Sequence, residues 1–164
     1  MINEESGIKE VRISEDSINK ISIQIKEQMK KAFFVLIDEN VNSDKPDYEW
    51  ITNLYSELLN RLASFLKKDS RNYKLLQDEF DIELFRQMIS NDVFDQISML
   101  KLVNNTYGWI QKLQAPVRDS ETNESKNRVL NSEPTKMIST FLKEIHVCID
   151  NIEIDLFEFY KTIQ

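Results

Sequence analysis

The residues with the best claim to chemistry lie near the C-terminus, where Glu144, His146 and Cys148 alternate along "KEIHVCID". A general base beside a thiol would suit nucleophilic catalysis, and a carboxylate beside an imidazole would suit metal binding. The spacing works against both. Residues two apart on a helix do not share a face, whereas a helical Glu-His metal pair is set three apart. With one histidine and one cysteine in the whole chain, no second copy can complete either set, and a cysteine-based zinc site or an internal disulfide is excluded. Cys148 lies beside Ile145, Ile149 and Ile152, so the spacing predicts a buried, inert thiol, with His146 near the surface.

The acidic run of Glu144, Asp150, Glu153, Asp155 and Glu158 is the next candidate. Two of them could flank a substrate as acid and base or hold a small ligand or metal ion. Charges interleaved with an apolar stripe more commonly form a solvated face, and the sequence holds no Gly-rich phosphate loop, nucleophile elbow or H-E-x-x-H motif. The expectation is no enzyme, no cofactor and no metal. A last candidate is "QAPVRD", where Arg118 and Asp119 sit side by side after Pro116 and Val117. Just upstream, Trp109 follows Gly108. It is expected in the core, with partner anchoring by an exposed indole as the alternative.

These groups must be held by helices. Two glycines and three prolines in 164 residues are too few turn formers for a sheet protein. Apolar residues recur at steps of three and four in long segments, which predicts an all-α, antiparallel bundle of about five to seven helices. Residues 1–13 read as a flexible lead-in and 14–164 as one helical domain. A first helix begins at an N-cap Ser14, with Ile18, Ile21, Ile25, Met29, Ala32, Phe33 and Leu36 as its stripe. A second begins near Asp44 or Pro46. Two short helices follow, capped by Asp69 and Asp81. A long helix runs from about Asp92, its face formed by Val93, Ile97, Leu100, Val103, Tyr107, Ile110 and Leu113, and stops before Pro116. Arg118 to Glu133 is so polar that a loop or a weakly held surface helix is expected. The last helix runs from Pro134, with Ile138, Phe141, Ile145, Ile149, Ile152, Leu156, Phe159 and Ile163 in line. Gly108 within the long helix predicts close approach of another backbone.

A net charge of −7 disfavours nucleic acid or an anionic membrane as the main partner. Lys67, Lys68, Arg71 and Lys74 are expected at a helix C-terminus, where the macrodipole favours cations. The longest apolar run, Ala32 to Ile37, is too short to span a bilayer, and the acidic start without an apolar core leads us to expect no signal peptide. A cytoplasmic protein is expected.

The run "LQAPVRD", Leu113 to Asp119, resembles the L-C-A-P-V-R-D signature of the T-complex protein 11 family, with Gln114 in place of the cysteine. Asp81, Leu84 and Gln87 match the family's L-D-x-x-L-x-x-Q segment. Asp155 and Phe159 match its M-K-x-D-M-x-N-F run, where Glu158 replaces asparagine. The resemblance extends from about Pro46 to the C-terminus and corresponds to the N-terminal half of typical members. It implies an all-helical, non-enzymatic protein that binds a protein partner in signalling, notably in cyclic-AMP and protein-kinase-A pathways. It also singles out Pro116, Val117, Arg118, Asp119 and Asp155 as a signature that is either partner-binding or structural. In the structural reading Asp119 caps a following helix and Arg118 reaches back to Asp155. Breaking such a pair, if buried, would cost about 3 to 5 kcal/mol.

Overall fold

A computed structural model describes residues 14–163; the expected lead-in, 1–13, lies outside them. Among the described residues there are seven α-helices and no strands: α1 (Glu15–Val41), α2 (Tyr48–Ala63), α3 (Arg71–Glu79), α4 (Ile82–Ser90), α5 (Gln96–Leu113), α6 (Asp119–Leu130) and α7 (Met137–Thr162). Single 3-10 turns at Pro116–Arg118 and Pro134–Lys136 lead into α6 and α7. The chain forms two compact units divided between Leu36 and Ile37.

The described part of the first unit is α1 as far as Leu36. Ser14 caps it, its hydroxyl accepting the amide of Ser17 at 3.1 Å. The expected stripe is present, and among the described residues of this unit there is no second element for it to pack on. Ile18, Ile21, Ile25, Met29 and Leu36 are all half or more exposed.

The second unit is a helical bundle. Each of its early helices starts where a short polar side chain accepts a backbone amide of the first turn: Asp47 from Trp50, Ser70 from Tyr73, Asp81 from Leu84 and Asp95 from Ser98. Two expected starts are corrected. Asp69 and Asp92 both adopt left-handed backbone, φ 64° and 54°, and so sit in the turns before the caps Ser70 and Asp95. The basic cluster is corrected too. Lys67 and Lys68 are in the turn after α2, while Arg71 and Lys74 open α3 at its N-terminal end.

Leu58, Leu59, Leu62, Leu76, Phe80, Val103, Ile110, Phe141, Ile145 and Ile149 form a dry core. Tyr55 stacks on Phe85 with ring centroids 4.0 Å apart, and Phe94 meets Phe85 edge-on. The buried face of α5 includes the expected Val103, Tyr107 and Ile110 but is completed by residues outside the expected stripe. Met99, Val103, Thr106, Tyr107, Trp109 and Ile110 are inside, while Val93 and Ile97 are exposed. Apolar residues on both sides of α5 made its stripe ambiguous. Gly108 marks no close approach, since a Cβ there would meet nothing within 4 Å.

α6 is a full helix of 12 residues where a loop or weak helix was expected. Its buried face is Thr122, Ser125 and Val129. Side-chain pairs give the directions of the last three helices. Gln111–Asn123 and Tyr107–Ser125 join α5 to α6, while Arg128–Glu144 and Arg118–Asp155 join α6 to α7. In each set one number rises as the other falls, so α5, α6 and α7 run up, down and up.

Candidate functional site

The junction of α5, α6 and α7 gathers the signature residues. Pro116 has no amide hydrogen and ends the long helix, whose final turn closes with Gln114 N–H on the Ile110 carbonyl. The chain then makes one 3-10 turn and enters α6. This turn leaves Pro116 and Val117 exposed and swings Arg118 toward α7.

Arg118 grips Asp155 with two parallel bonds, Nε to Oδ2 and Nη2 to Oδ1, both 2.7 Å. Its third donor, Nη1, reaches Glu121 Oε1 at 2.7 Å. The fork matches the carboxylate, and the hydrogen bonds of Arg118 hold the Asp155 carboxyl below its usual range. The pair is not buried, as 25% of the Arg118 side chain and 32% of Asp155 remain accessible. The 3 to 5 kcal/mol for a buried pair therefore does not apply, and about 1–2 kcal/mol is the appropriate scale.

Asp119 does not cap α6 with its side chain. Its Oδ1 accepts from Gln114 Nε2 at 2.8 Å, and Gln114 Oε1 accepts from Thr122 Oγ1 at 2.6 Å. Gln114, the departure from the family signature, is thus a nearly buried bridge with both ends of its amide occupied.

One turn further along α6, Ser125 links Tyr107 Oη at 2.7 Å with Glu144 Oε2 at 2.8 Å, and Arg128 holds both oxygens of Glu144 at 2.9 Å. Burial alone would push the Glu144 carboxyl up, but bonds from Arg128 and Ser125 outweigh it and the carboxyl titrates below its ordinary value. Burial raises the Cys148 thiol and the Tyr107 phenol. The small cleft between these groups, about 100 Å³, is lined by Gln114, Arg118, Ser125, Arg128, Glu144 and Cys148. At this cleft the Glu144 carboxylate is favoured as the ion and the Cys148 thiol as the neutral form, and the Tyr107 phenol, bonded to Ser125 but not among the lining residues, is favoured neutral too.

Of the remaining acids of α7, two converge on a single cation and one stands apart from them. Asp150 and Glu153 both pair with Arg61 Nη2, at 2.8 and 3.1 Å. Arg61 Nη1 lies 2.7 Å from His146 Nδ1, and because a guanidinium only donates, that nitrogen accepts. Glu158 is on the surface, 3.9 Å from Lys161. Among the described residues no three metal-capable side chains cluster. Trp109 is apart from all of this. It is 2% exposed, its indole nitrogen donates to Glu79 of α3, and Lys112 lies over its ring at 4.5 Å. The core reading of Trp109 therefore holds and the exposed-anchor reading does not.

Sequence reasoning paired Arg118 with Asp155 through the signature but missed the Tyr107–Ser125–Glu144–Arg128 network. Its one available signal was spacing. Thr122, Ser125 and Val129 recur at three and four, a stripe too polar to stand out.

Beyond this junction, α7 outruns its partners. From Ile154 onward Ile154, Phe157, Phe159, Tyr160 and Ile163 are each more than half exposed, and Asp150, Glu153 and Glu158 stand among them. No helix of the described residues is long and apolar enough to cross a membrane. A sequence model of the family described as T-complex protein 11 matches residues 2–160, so the match begins well before Pro46. No solved structure matches the chain.

Proposed function

Since this chain belongs to the T-complex protein 11 family, we propose that it is a non-enzymatic interaction module that regulates signalling by binding another protein through the C-terminal turns of α7. The carrying observation is that the stripe which builds the core as far as Ile152 continues, uncovered and flanked by acids, through Ile163. The partner that fits is an amphipathic helix with Leu-type or aromatic anchors and Lys or Arg beside them. The Arg118–Asp155 grip sits at the base of this segment and holds it against α6. We place the activity in the cytoplasm and, as the resemblance implies, in cyclic-AMP and protein-kinase-A signalling. It calls for no cofactor, nucleic acid or membrane insertion.

The test is affinity capture by the full chain from its native cell, beside a Phe157→Ser/Tyr160→Ser variant. A reproducible partner that is retained by wild type, lost by the variant and weakened by salt supports the reading. Equal capture by a variant that keeps the wild-type melting temperature overturns it.

A further inference from the structure

The described part of the first unit is one helix, and its stripe of Ile18, Ile21, Ile25 and Met29 is bare, each side chain more than half exposed. Residues three and four apart share a helix face, so these four form one unbroken apolar ridge. The charges beside the ridge are ordered. Glu15, Lys26 and Lys30 follow one another after three turns and one turn and so line one flank, while Lys20 and Lys31 lie off the other.

This pattern is complementary to itself when the helix is turned end for end. With Ile21 set against Ile25 of a second copy, Ile18 falls against Met29, and the two-fold axis repeats both contacts to give four apolar layers. In an antiparallel pair each flank meets the same flank of the other helix. Glu15 then stands within one residue, about 1.5 Å along the axis, of Lys30 in the second copy. Lys26 meets Asn19 there, Lys20 meets Gln28 and Lys31 meets Ser17, so no cation opposes a cation. A parallel pair instead brings unlike flanks together at equal height and sets Lys30 beside Lys31, a repulsion at both edges.

We propose that α1 is a dimerisation helix, covered by α1 of a second copy of this chain in the antiparallel register that puts Ile21 against Ile25 and Ile18 against Met29. The bare ridge accounts for the need of a cover, and the order of its charges accounts for the cover being the same helix reversed. The pairing uses α1 alone and does not rest on the partner reading of α7.

Light scattering on the full chain should show the mass of one chain at about 1 μM and of two by about 1 mM, the range suited to a small interface. Ile21→Asp puts a charge into both central layers and should leave single chains with unchanged helix content by circular dichroism. Glu15→Lys and Lys30→Glu each break two symmetric pairs and should each raise the Kd about two- to tenfold, and the double variant should restore it. Orientation is read from disulfides. Ile18→Cys and Met29→Cys chains, mixed in a glutathione buffer, should form the mixed disulfide about tenfold over either symmetric one, because in this register two Cys at position 18 are about 15 Å apart. The native Cys148 is buried. The proposal is overturned if the chain stays single at about 1 mM, if Ile21→Asp still dimerises, if symmetric disulfides dominate, or if the charge exchange restores nothing. It is also overturned if Phe157→Ser/Tyr160→Ser abolishes the dimer, which would place the contact at the end of α7 instead.

Discussion

The two halves of α7 carry one continuous stripe and use it differently. As far as Ile152 each turn delivers a residue that is sealed: Phe141, Ile145, Ile149 and Ile152 are at most 2% exposed. Beyond Ile152 the same periodicity delivers Leu156, Phe159 and Ile163 to solvent. An amphipathic pattern states that a helix has an apolar side; it does not state that the chain supplies something to cover it. α1 repeats the lesson from Ile18 to Leu36.

The contrast predicts unequal costs for equal changes. Ile145→Ala should lower stability by about 2–5 kcal/mol, because a sealed cavity replaces the side chain. Ile154→Ala should stay within about 0.5 kcal/mol. Denaturant melts of both variants check this, and similar costs would show that the end of α7 is covered in solution.

The polar junction should lie between these extremes, and unevenly. Glu144→Ala leaves the buried Ser125 hydroxyl without the acceptor for its proton, while Ser125 keeps its bond with Tyr107, and should cost about 1–3 kcal/mol. Arg118→Ala leaves Asp155 partly solvated and should cost about 1–2 kcal/mol. Both carboxyls titrate below their ordinary values in the fold. Their contribution is therefore complete above the ordinary carboxylate range, about pH 4, and fades as pH falls through the lowered values. The penalty for Arg118→Ala should accordingly shrink between pH 7 and pH 3, as followed by urea melts across that range. A penalty independent of pH would mean that Arg118 acts by packing alone.

The smallest effect is expected at an open position. Gly108 lies inside α5 with nothing within 4 Å of where a Cβ would be, so Gly108→Ala should stabilise the protein by up to about 1 kcal/mol. A loss of stability, read as a lower melting temperature, would place another surface against that side of α5.

Strong local chemistry was legible in the sequence. Pro116 ends α5 because no other outcome is sterically open, Asp81 starts α4 because its carboxylate accepts a first-turn amide, and the alternating apolar residues of α7 are inside as far as there is something to meet them. What stayed hidden depended on partners distant in sequence. In "TNESKNRV" only the spacing of three and four hints that Thr122 and Ser125 face inward, since their burial is made possible by Gln114, Tyr107 and Glu144 from two other helices. The cap expected at Asp69 falls one residue later, at Ser70, because Asp69 takes the left-handed turn before the helix. The Arg118–Asp155 pairing came from the signature, whereas the partial exposure that reduces its cost came from the structure.

The up-down-up order of α5, α6 and α7 also bears on how quickly the chain finds its fold. Each of these helices lies against its immediate neighbour in sequence, so ordering them closes only short loops, and low contact order of this kind goes with folding in microseconds to milliseconds. Arg118 and Asp155 are 37 positions apart, among the wider of the side-chain spans at this junction. On that ground the two hydrogen bonds between them should form after the helices have docked, and their removal should show up in the rate of unfolding more than in the rate of folding.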